Sequence, residues 1–139
     1  MSAPQALMFG NNEGVGIGDG WFDRFVHPST GITYRPMKQR ANFHLAKREG
    51  QRELVLMASA PVTAVGRQVS GRICLGSHWN APIVFDRDGW TLRCFDVSSL
   101  AAGEYRGSLE ASPCFVPDKV LHNGDHREMS LSVAAIFFR

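Results

Sequence analysis

The sequence predicts an all-β chain folded as an antiparallel, jelly-roll-like β-sandwich of about eight strands. Three observations lead there. Apolar residues recur with period two in short runs, Gly, Pro, Asn and Asp punctuate those runs, and only one stretch has helical character. Strands at this spacing without long crossovers pair antiparallel, and two such sheets bury their apolar faces against each other in one core.

At 139 residues the chain fits one domain, residues 1–139, long enough to bury a core without staples. Residues 1–20 form a Gly-rich opening segment carrying Gly10, Gly14, Gly16, Gly18 and Gly20. In "RANFHLA", Ala41, Phe43 and Leu45 fall on one face and Arg40, Asn42 and His44 on the other. "ELVLMAS" sets Leu54, Leu56 and Ala58 against Glu53, Val55 and Met57, and the charged turn "KREGQR" makes the two runs expected antiparallel neighbours.

"RQVSGRICLG" places Val69, Gly71, Ile73 and Leu75 opposite Ser70, Arg72 and Cys74. "GWTLRCFDV" offers Trp90, Leu92 and Cys94 as a core face against Thr91, Arg93 and Phe95. "EYRGSLEAS" sets Tyr105, Leu109 and Ala111 against Glu104, Arg106, Ser108 and Glu110. The final run, "MSLSVAAIFF", alternates Leu131, Val133, Ala135 and Phe137 with Ser130 and Ser132, then turns apolar on both faces at Ile136 and Phe138, as a central strand would. The helical candidate is "VSSLAAGEY", with Ser98 or Ser99 as cap and Gly103 as stop.

Charge excludes some functions. Fifteen basic against 13 acidic residues, scattered without a block, give no footprint for nucleic acid or an anionic membrane. The N-terminus lacks a basic region followed by an apolar run, and no window approaches the roughly 18 apolar residues of a span, so no membrane span and a cytoplasmic location are expected. Cys74, Cys94 and Cys114 are odd in number and without a CxxC pair, which predicts buried thiols in a reducing compartment.

Motifs for chemistry are weak. "GVGIGDG" lacks the βαβ context of a phosphate loop, and no GxSxG elbow, HxH or HExxH is present. His122, Asp125 and His126 could line one loop around a metal, and "DRDG" at 86–89 holds two loop acids, but both lack a full ligand series. No cofactor, no metal and no catalytic residue are expected.

In "GDHREMSLS", adjacent strand residues point to opposite faces, so Asp125, His126 and Arg127 cannot converge on one reacting atom. Asp125 and Arg127 do share a face if extended, which predicts a charge-assisted lock holding the terminal strand to the opening segment around Trp21. Trp21 and Trp90 are expected in the core. "SHWNAP" offers a different kind of site, because a saccharide presents apolar C–H faces fringed by hydroxyls and needs a ring beside polar donors. His78, Trp79 and Asn80, read as a loop, are the candidate ligand-binding residues; in the alternative, Trp79 folds back as a lid on the sandwich.

Four pieces in order, "GDGWF", "YRPMKQRANFHL", "SPCFVP" and "GDHREMSLSVAAI", resemble a β-sandwich accessory domain found attached to bacterial glycosyltransferases and methyltransferases of surface-polysaccharide synthesis. Its Gly-Trp-aromatic opening corresponds to Gly20, Trp21 and Phe22, and its closing motif to Asp125, Arg127, Val133 and Ile136. Tyr34, Arg35 and Pro36 stand where that family has an Arg-Trp pair, and Met129-Ser130 replaces Leu-Gly. The resemblance implies a non-catalytic carbohydrate-binding or accessory module, partnered by a saccharide or a saccharide-handling enzyme. A protein-interaction or oligomerisation domain is the alternative, and a small enzyme of unrecognised type the third.

Overall fold

The computed structural model describes Pro4, residues 6–9 and residues 16–139. Gly10 and Gly14 of the opening segment lie outside the described residues. Among the described residues ten strands form: β1 (Ala6–Met8), β2 (Phe25–Val26), β3 (Thr33–Pro36), β4 (Arg40–Lys47), β5 (Glu53–Ser59), β6 (Val69–Leu75), β7 (Trp79–Phe85), β8 (Thr91–Asp96), β9 (Gly103–Ser112) and β10 (Ser132–Phe138). Two short helices, α1 (Val62–Val65) and α2 (Pro117–Leu121), interrupt them.

The strands make two antiparallel sheets, one ordered β2-β3-β10-β5-β8 with β1 also on β10, the other β4-β9-β6-β7. From β3 onward the chain crosses between sheets at almost every step, with β3, β5, β8 and β10 in the first and β4, β6, β7 and β9 in the second. That order is the jelly roll. Between the sheets lie Phe43, Leu45, Leu54, Leu56, Ile73, Leu109 and Val133, each at most 3% exposed.

The alternations read from β4, β5, β6 and β9 match the observed burial, but β4 and β5 are not neighbours. They lie in different sheets, each burying its apolar stripe in the shared core, so β4 pairs with β9 and β5 with β10 and β8. Strands β1, β2, β3 and β7 were not legible as alternating runs. In β7, Pro82 breaks the pattern; it is tolerated because β7 ends its sheet.

Two faces are reversed. Leu54, Leu56 and Ala58 stand opposite Phe95, Arg93 and Thr91, and residues paired across a ladder share a face, so Thr91, Arg93 and Phe95 point inward. Leu92 and Cys94 therefore point out, and Leu92 is 58% exposed. In β10 a register shift between Val133 and Ala135 turns the strand, so Val133, Ile136 and Phe138 face the core in place of Ala135 and Phe137. β10 is central, as its two-sided end predicts.

"VSSLAAGEY" is a turn, not a helix. The Asp96 carboxylate accepts from the Ser98 amide and hydroxyl, which fixes a local turn that competes with helix. The observed helices start beside prolines, at Pro61–Val62 and at Pro117, and α1 stops at Gly66 with φ +76°. Cys74 and Cys114 are half-buried and Cys94 is exposed, so the thiols are not the buried set expected.

Candidate functional site

The outer face of the four-stranded sheet is polar over β4, β9 and β6, while β7 adds Pro82 and the exposed Val84 at its edge. Register aligns Arg40, Glu110 and Arg72 in one row, Asn42, Ser108, Cys74 and Asn80 in the next, and His44 with Arg106 in a third. Period two sends these side chains outward because Ala41, Phe43, Leu45, Leu109 and Ile73 take the core. Alternation puts most of these residues on polar faces, and the pairing of β4, β9 and β6 brings their rows together.

The opening segment builds a wall on this face. Gly18 donates its amide to the Asn42 carbonyl at 2.9 Å, Asn42 returns its amide to the Asp19 carbonyl at 2.8 Å, and Ile17 bridges Phe43. A Cβ on Gly18 would lie 3.3 Å from that of Asn42, tight for any larger residue. The wall and sheet enclose an open recess of about 530 Å³ whose polar lining includes Asp19, Arg40, Asn42, His44, Arg106 and Ser108. Arg40 is tied to Glu110 at 2.8 Å, and Arg72 to the Asn80 amide oxygen. The His44 and Arg106 side chains have no hydrogen bond or ion pair among the described residues.

The residues singled out in the sequence lie elsewhere. His78 is exposed in the turn before β7, while Trp79 and Asn80 are the first residues of β7 and point to opposite faces. Trp79 faces inward, packs against the core, meets Phe95 edge-on at 6.2 Å and donates its indole N–H to the Asp96 carbonyl at 3.3 Å. Asn80 joins the polar outer face through Arg72. The three do not form one site.

Trp21 is half-buried, with its indole donating to the Asn42 carbonyl at 2.8 Å and its ring 4.9 Å from Phe9, so it holds the opening segment to β4. Asp125 and Arg127 form a two-pronged pair, with Nε to Oδ1 at 2.9 Å and Nη2 to Oδ2 at 2.7 Å. These bonds hold the Asp125 carboxyl at a pKa of about 2, the side-chain bond from Arg127 first and its backbone amide second. The guanidinium lies over Phe22 at 5.3 Å and Phe25 at 5.9 Å, so the pair reaches the neighbour of Trp21 and not Trp21 itself. Trp90 is half-buried on the outside of its sheet, 5.4 Å from Tyr34.

The loop acids serve local structure. Asp88 accepts from the Thr63 amide at the start of α1, and its carboxyl is lowered by hydrogen bonds from Thr63. Asp118 accepts from the Gly124 amide and lies 3.7 Å from His126. Among the described residues no three His, Cys, Asp or Glu side chains gather as a metal site, and no helix is long and apolar enough to cross a membrane. No protein-family model and no curated protein matches the chain.

Proposed function

We propose that this chain is a non-catalytic saccharide-binding module whose site is the recess on the outer face of the four-stranded sheet. One observation carries the reading: a recessed sheet surface offers Asn42, His44, Arg106 and Ser108 as hydrogen-bonding groups in about 530 Å³, room for one or two sugar rings. The sequence resemblance to accessory domains of polysaccharide-synthesising enzymes supports this reading, which includes a cytoplasmic place beside such an enzyme. Titration calorimetry against a panel of oligosaccharides, with Asn42→Ala as control, tests it. Binding that Asn42→Ala weakens supports the recess, and binding that it leaves unchanged places the ligand elsewhere.

A second reading rests on the opposite face. On the outside of the first sheet, Met8, Ala135, Met57 and Leu92 align in one row and Ala6, Phe137, Val55 and Cys94 in the next. Met8 is 40% and Leu92 58% exposed, while Val55 and Ala135 in these rows are buried. An apolar face of this kind suits a protein partner, such as the enzyme served by the module or a second copy. Light scattering across a concentration series separates self-association from a free monomer.

A further inference from the structure

The recess contains a pair of residues that bears on the ligand's charge. His44 on β4 and Arg106 on β9 stand directly opposite in register, both on the outer face. Residues so paired have Cβ atoms about 4.5–5.5 Å apart, and two cations there repel when the imidazole is protonated. Arg40 in the first row is paired with Glu110. Neither His44 nor Arg106 is paired among the described residues. Asp19, on the opening segment beside Asn42, forms no ion pair with either. Two adjacent donors without an acceptor, at one end of a recess whose middle row is Asn42 and Ser108, match a ligand that carries an oxyanion beside hydroxyls.

We infer that the saccharide taken by this recess is acidic, with its carboxylate or phosphate group seated between Arg106 and His44 and its ring hydroxyls on Asn42 and Ser108. The inference rests on the saccharide reading above. The planar guanidinium of Arg106 can meet two oxygens of either group at once, and His44 supplies a further N–H. Bonds of this type are charge-assisted and carry direction, so they discriminate an acidic sugar from its neutral counterpart.

The test compares glucuronate, glucose 6-phosphate, methyl glucoside and inorganic phosphate, and the trimer of galacturonate with its methyl ester, by chemical-shift titration of the whole chain. An acidic sugar is expected to bind about ten- to hundredfold tighter than its neutral counterpart, with Arg106→Gln removing that advantage at an unchanged melting temperature. His44→Gln is expected to remove a smaller part. Glucuronate and glucose 6-phosphate distinguish the carboxylate from the phosphate source. Equal binding of acidic and neutral sugars overturns the inference and leaves the saccharide reading standing. Binding of inorganic phosphate as tight as that of the sugar phosphate also overturns it, since the sugar then contributes nothing. No binding by any saccharide ends both.

Discussion

Arg93 joins the two sheets at their open side: its Nη2 donates to the Val84 carbonyl at 3.0 Å, and its guanidinium carbon lies 4.8 Å from the centroid of the Phe85 ring. β8 and β7 each end a sheet, and a charge pointing inward at such an edge blocks further strand pairing while its stem covers the core. Removing it forfeits a charge-assisted hydrogen bond and a cation–π contact. Arg93→Ala is expected to destabilise by about 1–3 kcal/mol in urea unfolding. Arg93→Lys should recover only part, because an ammonium cannot both stack on the ring and reach the carbonyl as the planar group does.

The reversed face of β8 gives a second prediction. Leu56→Ala, in the fully buried row, is expected to cost about 2–5 kcal/mol, whereas Leu92→Ala should stay within about 0.5 kcal/mol of wild type. Equal losses at the two sites would return Leu92 to the core. The contrast also marks how far the sequence is legible. Long alternations bounded by turns, as in β4 and β6, identify themselves because one face is apolar and the other polar. β8 does not, since Leu92 and Cys94 are apolar but face out, and Thr91 and Arg93 are polar but face in. Only the register with β5 decides, and register is non-local. The bulge at Ala134 hides the turn of β10 for the same reason. The recess was less legible still: its residues come from β4, β6, β9 and the opening segment, and their meeting depends on which strands pair.

Close strand approach predicts a cost at Gly71. A Cβ there would stand 1.7 Å from the Glu110 carbonyl oxygen and 2.8 Å from the Ala111 Cα, both backbone atoms of the paired strand β9. Backbone cannot swing aside as a side chain does, so β6 and β9 would have to separate. Gly71→Ala is expected to cost at least about 1–3 kcal/mol, the range of overpacked cores, by urea unfolding. Gly50→Ala, with open space around the Cβ, is the comparison for backbone strain alone, as its φ is +85°.

The Asp125–Arg127 pair predicts a pH window. The folded carboxyl titrates at about 2, below its ordinary 3.8. A depressed carboxylate contributes stability that is present above the unfolded value and is lost as pH falls through the folded one, here from about 3.8 down to about 2. In Arg127→Gln the carboxyl resonance of Asp125 should titrate closer to 3.8. The stability difference between wild type and variant should then shrink across that window. Asp88 and Asp96 are lowered too, but by Thr63 and Ser98, so they titrate alike in both proteins and cancel. A midpoint unmoved by Arg127→Gln would show that the pair does not set the carboxyl.

Trp79 separates a role in the fold from a role in binding. Its ring packs against the core and edge-on to Phe95, and its indole N–H reaches the Asp96 carbonyl, so it clamps the start of β7 to the end of β8 across the gap between sheets. Truncation removes a half-buried ring and leaves that carbonyl to water. Trp79→Ala is therefore expected to cost about 2 kcal/mol or more, short of the about 3–5 kcal/mol of a fully buried ring, by urea unfolding. Asn80→Ala, on the opposite face, should stay within about 0.5 kcal/mol. Saccharide affinity at the recess should survive Trp79→Ala in the folded fraction, because the ring lies on the core side of its sheet. If affinity vanishes while stability holds, Trp79 is instead the stacking platform, and the ligand sits at the turn that carries His78.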